Sequence, residues 1–169
     1  ISSGGFTANW SIKIDPLSSI MLVVVTFVSA LVHIYSIGYM SHDPHKPRFM
    51  SYLSLFTFSM LALVVSDNFL QLFFGWEGVG LCSYLLIGFW YKKETANNAA
   101  IKAFIVNRIG DFGLAIAIFL IFFFFGTINF EETFQATSQL AEKKIIFFGF
   151  EANLITLICI FLFIGAMGK

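Results

Sequence analysis

The chain has 169 residues, of which 58% are apolar, 18% aromatic and 12% charged, with a mean hydropathy of +0.84 and a formal net charge of zero. A soluble domain carries about 25% charged residues and buries only about two thirds of its unfolded surface at this size, so no water-soluble enzyme could hide this much apolar side chain. The same numbers exclude a disordered segment and a nucleic-acid binder with a basic face, and leave an integral membrane protein.

A bilayer core about 30 Å thick takes roughly 20 apolar residues per helix. The first such run covers about residues 17–39 and is entered at Asp15-Pro16, a helix-starting pair. The second, about 49–65, follows the turn-rich stretch from His42 to Arg48. Only Ser66-Asp67-Asn68 separates it from the third, about 69–90, which predicts a tight antiparallel hairpin. A polar link, 91–98, leads to the fourth run, about 99–125. A hydrophilic connection with Glu131, Glu132, Glu142, Lys143 and Lys144 precedes the fifth, about 147–169. The runs are continuously apolar rather than alternating, which excludes a β-barrel. The expected fold is therefore all-α: a polytopic transmembrane helix bundle of about five spans, in one domain.

The start at Ile1 and the apolar run reaching Lys169 read as a piece of a longer chain. Cys82 and Cys159 sit in apolar stretches as small hydrophobes, with no disulfide or metal framework between them. Asn9-Trp10-Ser11 fits the glycosylation pattern, a match common by chance. The loops after the first and third spans carry Lys46, Arg48, Lys92 and Lys93, which places them on the cytoplasmic side. Lys13, Lys143 and Lys144 then lie opposite, among several acids.

The informative residues are charges inside the spans. Glu77, in Gly-Trp-Glu-Gly-Val-Gly, is eight residues past Phe69, ~12 Å into the membrane. A carboxylate there costs about 2.5–3.5 kcal/mol on insertion scales, so it must face protein or water, pair, or take a proton; the plainer alternative leaves it at an interface. Arg108 and Asp111, spaced i,i+3, share a helix face as a structural ion pair or as part of a network reaching Glu77. Lys102 is expected to snorkel. Lys169 follows Gly165-Ala166-Met167-Gly168, as at a broken helix, or else ends its helix at the far interface. His33 is expected to hydrogen-bond near an interface, and His42 with His45 is too sparse for a metal site. No phosphate loop, nucleophile elbow or iron–sulfur cysteine set is present in the sequence. Acid and base within the membrane point to ion or proton movement.

At these residues the sequence resembles a known family. The stretch Phe-Phe-Gly-Trp-Glu-Gly-Val-Gly-Leu-Cys-Ser-Tyr-Leu-Leu-Ile-Gly-Phe-Trp-Tyr, from Phe73 to Tyr91, is similar to the signature of the largest antiporter-like subunit of respiratory complex I, the NADH:quinone oxidoreductase. Ala99 to Phe104, Asn107 to Gly113, Tyr39 to Tyr52 and the closing Gly165 to Lys169 fit the same family. The resemblance implies its transmembrane helices 3 to 7, an incomplete first half of an inverted-repeat fold. It also implies roles in proton translocation for Glu77, for Lys169 on the broken helix, and for the pair Arg108 and Asp111. It places NADH, FMN, iron–sulfur clusters and ubiquinone on other subunits, and leaves no cofactor or metal in this chain. The implied partners are the other membrane subunits of complex I, the lipid bilayer and protons, in a bacterial cytoplasmic membrane or the mitochondrial inner membrane. The large subunit of a multisubunit cation/proton antiporter and a structural membrane scaffold remain as alternatives.

Overall fold

A computed structural model describes residues 2–3, 6–147 and 149–169. Its helices are α1 (Pro16–Tyr39), α2 (Lys46–Val64), α3 (Phe69–Ile87), α4 (Glu94–Phe125), α5 (Phe130–Leu140) and α6 (Leu154–Met167). Two short antiparallel ladders accompany them: β1 (Ser2–Ser3) with β2 (Phe6–Thr7), and β3 (Lys144–Phe147) with β4 (Phe150–Asn153). Among the described residues, α1 to α4 are long and apolar enough to cross a membrane. The chain is thus a multi-pass, predominantly helical membrane protein.

Local chemistry explains the helix boundaries. Asp15 caps α1 by accepting the Ser18 backbone N–H at 2.7 Å, Ser18 Oγ accepts the Asp15 N–H in return, and Pro16 takes the first helical position. The Ser18 backbone N–H, and after it the Ser18 hydroxyl, hold the half-buried Asp15 carboxyl below its ordinary range. Asn129 and Asn153 cap α5 and α6 in the same way, each accepting two backbone N–H groups.

The helices depart from the expected spans at several boundaries. α2 begins at Lys46, inside the expected turn, with Pro47 in its first turn. α4 begins at Glu94, because its first turns are polar helix projecting beyond the apolar stretch. The expected hydrophilic connection contains α5, whose polar and apolar faces segregate. The expected fifth span from 147 is corrected most: Phe147 ends a strand, the ladder returns through β4, and α6 starts only at Leu154. Its 14 residues rise about 21 Å.

Two compact units share the chain. One comprises the N-terminal residues to Trp10, Asp67–Leu70 and Val106–Lys169; the other comprises Ser11–Ser66 and Gln71–Ile105. In the second unit α3 packs antiparallel on α2 through glycines: a Cβ on Gly75 would fall 2.7 Å from Leu63, and one on Gly78 2.6 Å from Ser59 Oγ. In the first, Phe69 N–H donates to Ile128 O and the Phe69 and Phe130 rings meet edge to face at 4.6 Å. There the C-terminal half of α4 lies directly on α6.

Candidate functional site

Glu77 is half-buried and one residue from the centre of α3. Its neighbours Gly75 and Gly78 bring the α3 backbone against Leu63 and Ser59 of α2, so the carboxylate is carried by a helix clamped at mid-length. No larger residue fits either position without moving α2.

Arg108 and Asp111 flank the midpoint of α4. Arg108 Nη1 stands 3.8 Å from Asp111 Oδ2. The two ends of this pair differ in burial: the Asp111 side chain is 5% exposed and that of Arg108 50%. The adjacent guanidinium is the charged partner of this buried carboxyl.

Lys169 reaches this pair's helix through glycine. A Cβ on Gly110 would fall 2.8 Å from Gly168 Cα and 3.1 Å from Gly165 O, and one on Gly113 would fall 2.7 Å from Ile164 Cγ2. α4 and α6 therefore touch backbone to backbone. Asp111 and Lys169 are each the residue following one partner of the Gly110–Gly168 contact. α6 is regular through Gly165 to Met167 and is capped at Gly168, and Gly165 and Gly168 lie close against α4. Because α6 starts late, Lys169 lies 15 residues beyond Leu154, about 22 Å along rather than the ~33 Å measured from Phe147. The structure thus assembles Arg108, Asp111 and the Lys169 backbone in one unit, while Glu77 belongs to the other.

The hydrogen bonding expected of His33 is found in a polar grouping whose other members the sequence does not reveal. His33 Nδ1 is 2.8 Å from Ser29 O, Ser29 Oγ is 2.7 Å from Thr57 Oγ1, and His33 Nε2 is 3.4 Å from Ser54 Oγ. This line of hydroxyls and imidazole joins α1 to α2. The i,i+4 spacing of Ser29 and His33 was its local signal, but the hydroxyls of α2 could be assigned to it only by packing.

Residues 1–50 match the family model described as NADH-ubiquinone oxidoreductase (complex I), chain 5 N-terminus. Residues 66–169 match that described as NADH:quinone oxidoreductase/Mrp antiporter, TM. The chain is 58% identical over 164 residues to NADH-quinone oxidoreductase subunit L of Rickettsia bellii, covering 97% of this chain and 26% of that protein. It is 60% identical over 169 residues to NADH-ubiquinone oxidoreductase chain 5 of Triticum aestivum, and 56% identical over 169 residues to that of Chondrus crispus, covering 100% of this chain and 25% of each relative. The chain spans about a quarter of the length of these curated relatives. With apolar helices that carry acid and base at mid-length, and with matches over nearly all of its residues, the chain belongs to the NADH:quinone oxidoreductase/Mrp antiporter transmembrane family.

Proposed function

We propose that this chain is part of a proton-translocating membrane subunit of an NADH:quinone oxidoreductase, with Glu77, Arg108, Asp111 and Lys169 as its proton-handling residues. The observation that supports the proposal is the Gly110–Gly168 contact: Asp111 follows the first glycine on α4, and Lys169 follows the second just past the end of α6. In a medium of low dielectric a carboxylate and an amine influence each other's proton affinity strongly, the ion pair favouring the charged form of both. Loading or unloading one group then shifts the other, and the coupling acts equally in both directions. Arg108 stays charged and fixes the local field around Asp111. Glu77, at the centre of α3, is the second titrating station.

On this reading quinone reduction takes place on other subunits, which also carry NADH, FMN, the iron–sulfur clusters and ubiquinone. The chain works among the other membrane subunits of complex I, in a bacterial cytoplasmic membrane or the mitochondrial inner membrane. The match of residues 1–50 to the chain 5 N-terminus favours this complex over a multisubunit cation/proton antiporter. The test is Glu77→Gln in the full-length subunit within its assembled complex. Protons pumped per NADH oxidised should drop severalfold while assembly is retained. Normal pumping in a normally assembled complex refutes the role, and loss of assembly alone supports a scaffold.

A further inference from the structure

We infer that the cavity where α2 begins, α3 ends and α4 begins binds a phosphate oxyanion, supplied by the headgroup of an anionic phospholipid. The cavity holds about 430 Å³, within the usual range of about 300–1,000 Å³ for small-ligand sites. Arg48, Tyr52, Tyr84, Phe89, Tyr91 and Asn97 line it.

Arg48 is the centre of the site. Its Nη2 donates to Phe89 O at 3.2 Å, and its guanidinium carbon lies 4.7 Å from the Phe89 ring centroid and 5.4 Å from that of Tyr91. These contacts fix the fork but use one of five N–H donors, and Nε is buried without an acceptor. Asp43, whose carboxyl feels the Arg48 charge, is already engaged by the His45 N–H at 2.8 Å and Trp90 Nε1 at 3.0 Å. Among the described residues no carboxylate stands within ion-pair distance of Arg48. A rigid, aromatic-stacked guanidinium with a buried donor to spare suits an oxyanion, which takes two parallel N–H bonds.

Three further observations identify a lipid as the source. The start of α2, the end of α3 and the start of α4 lie on one membrane face, which also bears Lys46, Lys92 and Lys93 and the rings of Trp90 and Tyr91, the composition of headgroup depth. Leu85 and Ile101 line the cavity beside the cation, where free phosphate would gain nothing. Ile101 and then Ile105 continue along α4 as exposed apolar residues, a track for an acyl chain.

The test uses the assembled complex with the full-length subunit, delipidated and reconstituted in phosphatidylcholine nanodiscs with or without phosphatidylglycerol. Wild type should retain one more phosphatidylglycerol per complex than Arg48→Gln in native mass spectrometry. Affinity should fall roughly tenfold in Arg48→Gln, the size of one lost charge-assisted hydrogen bond, and less in Arg48→Lys. Because Arg48→Gln could disturb folding, a wild-type arm carries a photoactivatable phosphatidylglycerol headgroup, with crosslinks expected at Arg48, Tyr52, Tyr91 or Asn97. Inorganic phosphate added to phosphatidylcholine-only discs should leave the site unoccupied. Equal phosphatidylglycerol retention in wild type and Arg48→Gln, crosslinks only elsewhere, or saturable binding of inorganic phosphate alone overturns the inference.

Discussion

α1 and α4 are both apolar helices long enough to span a membrane, yet they are built for different surroundings. In the most apolar stretch of α1, 6% of residues are buried within the chain, against 39% in α4. α1 carries Phe27, Val23, Leu31 and Ile34 outward, and between Pro16 and Tyr39 it has no acid, lysine or arginine. α4 holds Arg108 and Asp111 at its centre, and of the two the Asp111 side chain is buried, beside the close glycine packing against α6. A mid-membrane charge survives where protein surrounds it, and a helix without charges can be left to lipid or to a partner helix.

The sharpest way to break this contrast is to give α1 what α4 has. Phe27→Arg puts a guanidinium at the centre of α1 without the counter-charge or glycine contact of α4. Insertion of that span should become less favourable by about 2.5–3.5 kcal/mol, read as the fraction of full-length chains that fail to insert it. Normal insertion would mean that α1 has a polar partner in the assembled protein.

A glycine pair sharpens the comparison at the level of packing. Gly110→Ala places a methyl group 2.8 Å from Gly168 Cα and 3.1 Å from Gly165 O, both backbone atoms, so α4 and α6 must separate. We expect a loss of about 1–3 kcal/mol, seen as a lower Tm of the purified full-length protein. Gly38→Ala on α1 meets nothing within 4 Å and should instead gain up to about 0.5–1 kcal/mol through helix propensity. Equal effects from the two substitutions would erase the distinction between the helices.

The smallest effect concerns the loop between α1 and α2. Asp43 is half-buried, and its carboxyl is held below its ordinary range first by the His45 backbone N–H and then by the Trp90 indole. A carboxylate with a depressed folded-state pKa stabilises the fold above its unfolded value, and the contribution is lost as pH falls through its folded value. The loop should therefore be unaffected at neutral pH and loosen only below about pH 4, with a change in Trp90 fluorescence that Asp43→Asn abolishes. A transition centred near neutral pH would assign it to another group.

Much of this was legible in the residues alone. Glu77, Arg108 and Asp111 stand out because each interrupts an apolar run, and the i,i+3 spacing of the latter two puts them on one face of α4. The start of α6 was not legible, because Ile145, Ile146 and Phe147 form an apolar strand that merges with the apolar helix after it, and short apolar runs do not reveal their period. Asn153 was the available signal, a capping residue directly before the periodic stretch. Asn129, followed by Glu131 and Glu132 in the first turn, likewise announced α5.

Hydropathy and charge are properties of neighbouring residues, and bilayer thickness converts them directly into spans. For that reason the membrane class, most of the helices and the charges that interrupt their apolar runs could be read along the chain. Which charges share a helix contact is a different kind of fact. Gly110 and Gly168 are 58 positions apart, and so are Asp111 and Lys169. Nothing local in either segment specifies the other; packing alone brings them together, because each glycine lets the opposing backbone come close.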